Sequence, residues 1–219
     1  MKEFNSYLNN LDYSLLKDLF ARKGILRTYH KKDFFIRQNE VERFAGWVKH
    51  GTFQYTHIDE EGEEHIVGYA FTDEFVCDYS SFMKSCLSAV SIQALTDCSV
   101  YEISRHDIIE CWETNMETQR LGRYVAENLY EMVYERLLDS YCTPEIRYQR
   151  LMKRCPDLKD TIPLKSIASF LLLKQLVAYA ANWRNSQSFN IHYTGVLTIV
   201  KTFFLYSSVF CIHDLITLI

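Results

Sequence analysis

The stretch that decides the fold is Gly51–Phe71, "GTFQYTHIDEEGEEHIVGYAF". Phe53 and Tyr55 fall on one face of an extended chain, and the acidic run Asp59–Gly62 contains a glycine suited to a tight turn. Beyond this run the same alternation resumes, at Val67, Tyr69 and Phe71. Two alternating runs joined by a short polar turn predict an antiparallel β-hairpin.

A second hairpin signal lies downstream in Ala89–Ser104, "AVSIQALTDCSVYEIS". Apolar residues alternate up to Ala94, the polar run "TDCS" forms a turn, and the alternation resumes at Val100. Upstream, from Ile25 onward, the chain also consists of short alternating runs. Several short strands with evenly spaced turns predict an antiparallel barrel or a jelly-roll-like sandwich.

Helical periodicity surrounds this β region. Residues 3–20 have mostly helical apolar spacing, and Gly24 is a suitable stop signal. After Ser104, "RHDIIECWETN" predicts a short helix and Glu117–Tyr141 a long one. Thr143 and Pro144 then open a further helix, and "PLKSIASFL" another. A long helix followed by short helices is the layout of a winged helix-turn-helix domain.

The long predicted helix carries one apolar stripe. Its members are Leu121, Val125, Leu129, Met132 or Val133, and Leu137. A long helix with one sustained stripe suits a two-helix seam, so we expect a homodimer. The alternative is that the stripe packs against the β-domain of its own chain.

Composition excludes several classes of protein. The chain has 219 residues, 48% hydrophobic content and a net charge of −4, so any DNA contact must come from a local patch. The first ten residues lack an apolar signal-peptide core, which predicts a cytoplasmic protein.

The seven cysteines form no CxxC pair, so free thiols and no metal site are expected. The chain contains no G-x-S-x-G, P-loop or HExxH motif, and we predict no catalytic residues and no enzyme.

Two histidines, His57 and His65, flank the acidic turn and could face each other across the hairpin. A metal site would need a third fixed ligand, so the simpler interpretation is a solvated hairpin end. The run "RHD" at Arg105–Asp107 is best interpreted as a strand-to-helix junction that Ser104 or Asp107 caps.

The order of these pieces resembles the cAMP receptor protein/FNR (Crp/Fnr) family of bacterial regulators, in its Bacteroidetes-type branch. The resemblance spans roughly residues 5 to 171 and rests on "GWVKHGTFQYTHIDEEGEEHIVGYAFTDEFV", "DYSSF", "SIQALTDCSVYEISR", "RYQRLMKRCPDL" and "IPLKSIASFL". It implies an α+β fold with a cyclic-nucleotide-binding-like double-stranded β-helix (jelly roll) as sensor domain over residues 1–115. A dimerisation helix would occupy 116–142, and an incomplete winged helix-turn-helix domain 143–171.

The same resemblance implies partners and site residues. The partners would be a second copy of the chain, DNA in an intact-frame form, RNA polymerase and an unidentified small-molecule effector. Remnants of a DNA-binding surface would be Lys165, Ser166 and Ser169. The effector pocket would involve Glu74, Asp78, Tyr79, Leu87 and Ser88.

The effector pocket departs from the family pattern. Cyclic-nucleotide-binding members resemble one another in a Gly-Glu pair followed by Arg-Ser or Arg-Thr before an Ala, in which the arginine binds the phosphate. Here Leu87 stands where the arginine should be, and Cys77-Asp78-Tyr79 replaces the Gly-Glu pair. We therefore expect no cAMP binding and no cofactor. An ordinary polar turn over the barrel is the alternative for these residues.

The segment after "IASFL" also departs from the family pattern. In relatives, the corresponding segment resembles a turn followed by a recognition helix of the type "TPETVSRIRRKL". The arginines of that helix reach base edges and phosphates. This chain instead has "LLLKQLVAYAANWRNSQ", in which only Lys174 and Arg184 are cationic within Leu172–Ser186. A shifted reading frame joins the third base of each codon to the first two bases of the next codon. From Leu171 onward, one permitted choice of codons then encodes Thr-Pro-Glu-Thr-Val-Ser-Arg-Ile-Arg-Arg-Lys-Leu-Ala. We infer a frameshift near Leu171, which makes residues 172–219 a frameshifted tail.

This tail has a rival interpretation as a membrane anchor. The run "GVLTIVKTFFLYSSVFCI", residues 195–212, has about the length that a bilayer needs, although Lys201 inside it would be costly in lipid. The corresponding alternative function is a sensor or interaction module without DNA binding, attached to a membrane through the tail.

Overall fold

The structure, a computed structural model, describes residues 4–5 and 13–173. The predicted frameshifted tail, apart from Leu172 and Leu173, lies outside the described residues, and so does the candidate anchor at 195–212. Among the helices that are described, none combines the length and the apolar character needed to cross a membrane.

Within the described residues, eight strands form two four-stranded antiparallel sheets. The strands are β1 (Ile25–Tyr29), β2 (Phe34–Ile36), β3 (Phe44–His50), β4 (Phe53–Ile58), β5 (Glu64–Ala70), β6 (Phe75–Val76), β7 (Ser91–Ala94) and β8 (Cys98–Ser104). One sheet has the order β1-β8-β3-β6 and the other β2-β7-β4-β5. The hairpin predicted over Gly51–Phe71 is confirmed as β4 and β5, with a register irregularity between Tyr55 and Thr56. The predicted antiparallel β-sandwich is also confirmed.

The interior of the sandwich is filled by its own side chains. Val48, Val76 and Val100 are fully buried between the sheets. A cluster of rings packs among them at centroid distances of 5.6 to 6.0 Å: Tyr29, Phe35 and Phe53. A Cβ placed on Gly46 would lie 2.5 Å from the Val100 side chain and 2.7 Å from that of Val76. The space between the sheets is therefore occupied by packed protein atoms.

The part of the chain that the structure describes also contains seven helices. They are α1 (Ser14–Lys23), α2 (Tyr79–Lys84), α3 (Arg105–Thr114), α4 (Met116–Ser140), α5 (Pro144–Arg154), α6 (Leu158–Thr161) and α7 (Leu164–Phe170). The predicted caps are confirmed at Gly24, Ser104 and Thr143, and Pro144 opens α5. The Asn115 side chain caps α4 by accepting hydrogen bonds from two backbone N–H groups of its first turn.

The first half of the α4 stripe faces its own chain. Leu121 and Val125 pack against an apolar cluster of α1, α3 and β8 that includes Leu19 and Ile103. Leu129, one turn further, is half-buried, as is Met132. The C-terminal half of α4 is exposed on one side, where Val133 and Leu137 of the predicted stripe lie. The large apolar and aromatic residues there, including Tyr141 just after the helix, are Tyr130, Val133, Tyr134, Leu137, Leu138 and Tyr141. We call these six residues the exposed α4 face.

Helices α5 to α7 pack against the β-domain through one shared apolar cluster. Its buried members from these helices and their connections are Leu151, Cys155, Leu158, Ile162, Ile167, Phe170 and Leu171. The members from the β-domain side are Phe4, Ile66, Tyr69 and Phe71. The β-domain and the segment 143–171, which the sequence predicts as a separate domain, therefore share one apolar core.

Candidate functional site

The segment between β6 and β7 contains a carboxylate that collects hydrogen bonds. Asp78 precedes α2, and its Oδ1 accepts from the backbone N–H groups of Ser80 (3.1 Å) and Ser81 (3.3 Å). Its Oδ2 accepts from the hydroxyl of Ser88 (2.8 Å) and the backbone N–H of Ala89 (3.1 Å). Four donors from two separate stretches thus converge on one side chain. This arrangement is an anion site that the protein's own carboxylate fills.

Two of the predicted pocket residues, Asp78 and Ser88, are therefore brought together by the structure. Ser88 is buried at 1% exposure, and its hydroxyl also lies 2.8 Å from the carbonyl oxygen of Val90. Leu87 is 61% exposed and forms an isolated β-bridge with Val41. A leucine side chain offers an anion neither charge nor hydrogen bond.

A buried carboxyl group, Glu42, lies behind this anion site. Its Oε2 accepts a hydrogen bond from the backbone N–H of Asp78, and its own N–H donates to Ser81 Oγ over 2.9 Å. Glu42 is 2% exposed, and its Oε1 has no hydrogen-bond partner among the described residues. Burial raises the pKa of Glu42 to about 9, so the side chain is neutral at pH 7. Sequence reasoning missed Glu42, because a charged residue in a polar loop carries no local signal of burial.

A cavity of about 530 Å³ lies on another side of α2. The elements that line it include α1 to α4, α7, β5 and β6, and the walls include the rings of Phe20, Tyr69, Phe75, Trp112 and Phe170. Glu74 and Tyr79, two further predicted pocket residues, line this cavity, whereas Asp78, Leu87 and Ser88 do not. The five predicted pocket residues thus divide between two places. The size of the cavity is typical of small-molecule sites.

Glu74 is the carboxyl group most deeply set in the cavity wall. Its Oε2 accepts hydrogen bonds from the backbone N–H of Phe71 (2.9 Å) and from Asn5 Nδ2 (2.8 Å). Burial raises the pKa of Glu74 to about 7, and the two hydrogen bonds oppose the rise. This carboxyl group therefore changes charge near neutral pH.

Arg136 of α4 connects three elements at one end of the cavity. Its guanidinium donates to the carbonyl oxygen of Val67 in β5 and, over 3.4 Å, to that of Phe170 at the end of α7. The same group lies 4.2 Å from the centre of the Phe170 ring, within the range of a cation–π contact. Sequence reasoning missed this residue as well, since the elements that it joins are far apart in the chain.

The three predicted DNA-binding remnants lie on α7. Lys165 is exposed, whereas Ser166 and Ser169 are half-buried. The hydroxyl of Ser169 accepts a hydrogen bond from the backbone N–H of Ile66 in β5 over 3.1 Å. The side of α7 that carries Ser169 is therefore packed on the β-domain.

The candidate metal groups have partners within the protein. His57 and His65 do pair across the hairpin, but His57 Nδ1 lies 2.7 Å from the carbonyl oxygen of Ala89 and His65 Nε2 lies 2.7 Å from Asp59. On α3, potential metal-ligand atoms of His106, Asp107 and Glu110 lie within 4.8 Å of one another. Within that group Asp107 is hydrogen-bonded to Ser104 and Glu110 is paired with Lys23 at 2.8 Å.

Comparisons with known proteins agree with this architecture. Residues 26–115 match the sequence profile of the cyclic nucleotide-binding domain. FixK2 from Bradyrhizobium japonicum is similar in fold, with a TM-score of 0.63 at 14% identity over 78% of this chain and 89% of FixK2. CLP from Xanthomonas campestris, described as a c-di-GMP responsive global regulator, is similar with a TM-score of 0.57 at 16% identity, over 80% of this chain and 92% of CLP. A search of curated protein sequences finds no significant match.

These comparisons identify the fold of the β-sandwich. It is the fold of the cyclic nucleotide-binding domain, and the helices that follow it are arranged similarly in FixK2 and CLP. At such low identity the likeness to the solved structures is a likeness of fold.

Proposed function

We propose that the chain is a non-enzymatic regulatory module of the Crp/Fnr type, whose sensor domain responds to something other than a cyclic nucleotide. The observation that carries this proposal is the Asp78 carboxylate, which occupies the donors of Ser88 and Ala89. The phosphate of a cyclic nucleotide would have to displace the Asp78 carboxylate from these donors before it could bind to them. It would also find Leu87 where the family places an arginine.

Calorimetry with cAMP and cGMP tests this proposal. We expect no saturable heat from the wild-type chain at ligand concentrations up to about 1 mM, because a carboxylate beside the phosphate repels it. The double variant Asp78→Ser, Leu87→Arg removes that charge, keeps a helix-capping hydroxyl and adds the missing cation. This variant is expected to bind cAMP at least about tenfold more tightly than the matched Asp78→Ser, Leu87→Gln control. Micromolar binding by the wild-type chain would contradict the proposal.

We further propose that an effector acts through Arg136. The guanidinium bonds to β5 and α7 at the end of the cavity, so a change in the cavity wall would alter how α7 packs on the β-domain. Two arrangements of α7, one packed on β5 and one released, would supply the two states that regulation requires.

The second copy of the chain is proposed to bind along α4. Leu121 and Val125 pack against the core of their own chain. The exposed α4 face is therefore the surface of the helix that can contact a second copy. We expect a dimer in sedimentation experiments, and the double variant Tyr134→Glu, Leu137→Glu is expected to raise the dissociation constant at least about 100-fold. Arg123→Glu, on an exposed position nearer the start of α4, is the matched control. A wild-type monomer at all concentrations, or a dimer unaffected by the double variant, would exclude this interface.

DNA and RNA polymerase remain proposed partners of an intact-frame form. For the chain as it stands, we propose that sequence-specific DNA binding is lost with the recognition helix. The alternative is a sensor or interaction module that never binds DNA. It is favoured by the packing of Ser169 against β5, which turns one side of α7 away from solvent.

A further inference from the structure

We propose that the cleft between β5 and α7 is a binding site for a Phe-Asn pair, which the chain's own Phe4 and Asn5 fill, and that this internal contact holds α7 against the β-domain. The regulatory meaning of the contact rests on the proposed function, in which α7 takes a packed and a released arrangement. Phe4 and Asn5 are then the residues that keep the packed arrangement in place.

The ring of Phe4 lies between the two elements that the site joins. Phe4 is 1% exposed. Its ring centre lies 5.5 Å from that of Tyr69 in β5, 5.3 Å from that of Phe71 just after β5, and 4.9 Å from that of Phe170 at the end of α7. Edge-on and tilted ring contacts at such distances are favourable. A side chain from a distant part of the sequence therefore fills the space that β5 and α7 enclose.

The side chain of Asn5 anchors the pair on the β-domain. Its Nδ2 donates to the carbonyl oxygen of Tyr69 over 2.9 Å and to Glu74 Oε2 over 2.8 Å. The Phe4 ring contacts α7 through the ring of Phe170. Separation of two rings leaves no buried donor unpaired, so α7 can leave while Asn5 keeps its hydrogen bonds.

Polar contacts between α7 and its neighbours lie beside the ring cluster. Ser169 accepts from the backbone N–H of Ile66 over 3.1 Å, and Arg136 donates to the carbonyl oxygens of Val67 and Phe170. Such bonds contribute little net free energy, because water replaces them when the helix is released. Burial of an aromatic ring contributes more. Loss of the Phe4 ring should therefore favour the released arrangement strongly.

Hydrogen exchange on the full chain tests the contact. In Phe4→Ala the amides of α7 and of Ile66 are expected to exchange at least about tenfold faster than in the wild-type chain. Ile66 loses its bond to Ser169 when α7 is released, and a released helix of seven residues does not keep its own hydrogen bonds. Phe4→Leu keeps most of the apolar volume and should show a smaller effect in the same amides, which preserves the test if Phe4→Ala does not fold.

A control variant separates release of α7 from general destabilisation. Phe53 is fully buried in the core of the sandwich, which is a different apolar cluster from that of Phe4. Phe53→Leu destabilises both arrangements of α7 equally, so it should leave the exchange of α7 unchanged even if the melting temperature falls. Phe44→Ala removes a ring from an exposed position in β3 and should change neither quantity.

A peptide tests whether the site recognises the Phe-Asn pair itself. The double variant Phe4→Ala, Asn5→Ala leaves the site vacant, and the peptide "MKEFNSYL", residues 1–8, is added in solution. We expect it to slow the exchange of α7 saturably, with half of the effect at about 1 mM. The same peptide carrying Phe4→Ala is the matched control and should have no effect.

Equal acceleration of α7 exchange in Phe4→Ala and Phe53→Leu would show that α7 opens only when the whole chain unfolds, and would overturn the internal contact. Equal effects of the two peptides, or no effect of the native peptide up to about 5 mM, would overturn the Phe-Asn site. Binding of a cyclic nucleotide by the wild-type chain would refute the proposed function and leave each of these outcomes unchanged.

Discussion

A chain whose reading frame is restored after Leu171 is expected to bind a selected operator DNA at least about 1,000-fold more tightly than the 219-residue chain. The restored segment would read Thr-Pro-Glu-Thr-Val-Ser-Arg-Ile-Arg-Arg-Lys-Leu-Ala, whose arginines donate to guanine edges and phosphates. The apolar residues that now follow Leu171 offer those groups almost no donors.

Gel shifts on a random operator pool, run in parallel for the two chains, measure this difference. Binding of the restored chain should weaken steeply with salt, since phosphate contacts release counterions. A second version, in which the restored arginines are changed to glutamine, is the matched control and should lose most of the gain. If the present chain and the restored chain bound the same operator equally well, the frameshift interpretation would fail. The nucleotide sequence of codons 168–190 checks the same inference independently.

The variant Glu42→Gln is expected to stabilise the protein by about 5 kcal/mol near pH 8, which corresponds to roughly 10 to 20 °C in melting temperature. Burial raises the pKa of Glu42 from 4.5 to about 9. Between these two values the folded state holds a proton that the unfolded chain releases, so the stability of the wild-type protein falls as pH rises. Glutamine keeps an acceptor for the N–H of Asp78 and has no proton to lose.

Melting curves at a series of pH values test the sign of this effect. The advantage of Glu42→Gln should be nearly absent below about pH 4.5, grow through neutral pH and level off above about pH 9. Glu40→Gln, at an exposed position two residues away, is the control and should show no such trend. The contribution of Glu74 is common to all these proteins and cancels in the comparison. A difference that did not depend on pH would contradict a buried neutral carboxyl group at Glu42.

Part of the fold could be predicted from local patterns. The second hairpin signal, in Ala89–Ser104, correctly marked two strands but was wrong about their pairing, because β7 and β8 lie in different sheets. The alternation around Asp59–Gly62 identified the β4–β5 hairpin, and the predicted caps at Ser104 and Thr143 are observed. The residues that form such a signal lie close together in the sequence, so the signal can be recognised without knowledge of the rest of the chain. The direction of the α4 stripe could not be predicted, because a dimer seam and packing against its own domain demand the same spacing of apolar residues.

The features of the candidate site that could be predicted are those that depend on the chemistry of a single side chain. That Leu87 offers an anion neither charge nor hydrogen bond could be recognised from its side chain alone. That Asp78 would take the donors of Ser88 and Ala89 depended on how the segment between β6 and β7 folds back on itself. Glu42 and Arg136 gave no signal, since a charged side chain in a loop or on a helix is usually solvated.

The sequence by itself determined the β4–β5 hairpin, the main helices after Ser104 and the apolar character of the segment after Leu171. Periodicity and side-chain chemistry are properties of neighbouring residues, which is why these features needed no coordinates. Only the tertiary structure decided which carboxyl groups are buried, where the cavity lies and which side of α7 is covered. Those outcomes depend on contacts between distant segments, such as Glu42 with Asp78, 36 residues apart, and Ile66 with Ser169, 103 residues apart. Burial at these contacts sets the charge of each group through desolvation, which no local pattern encodes.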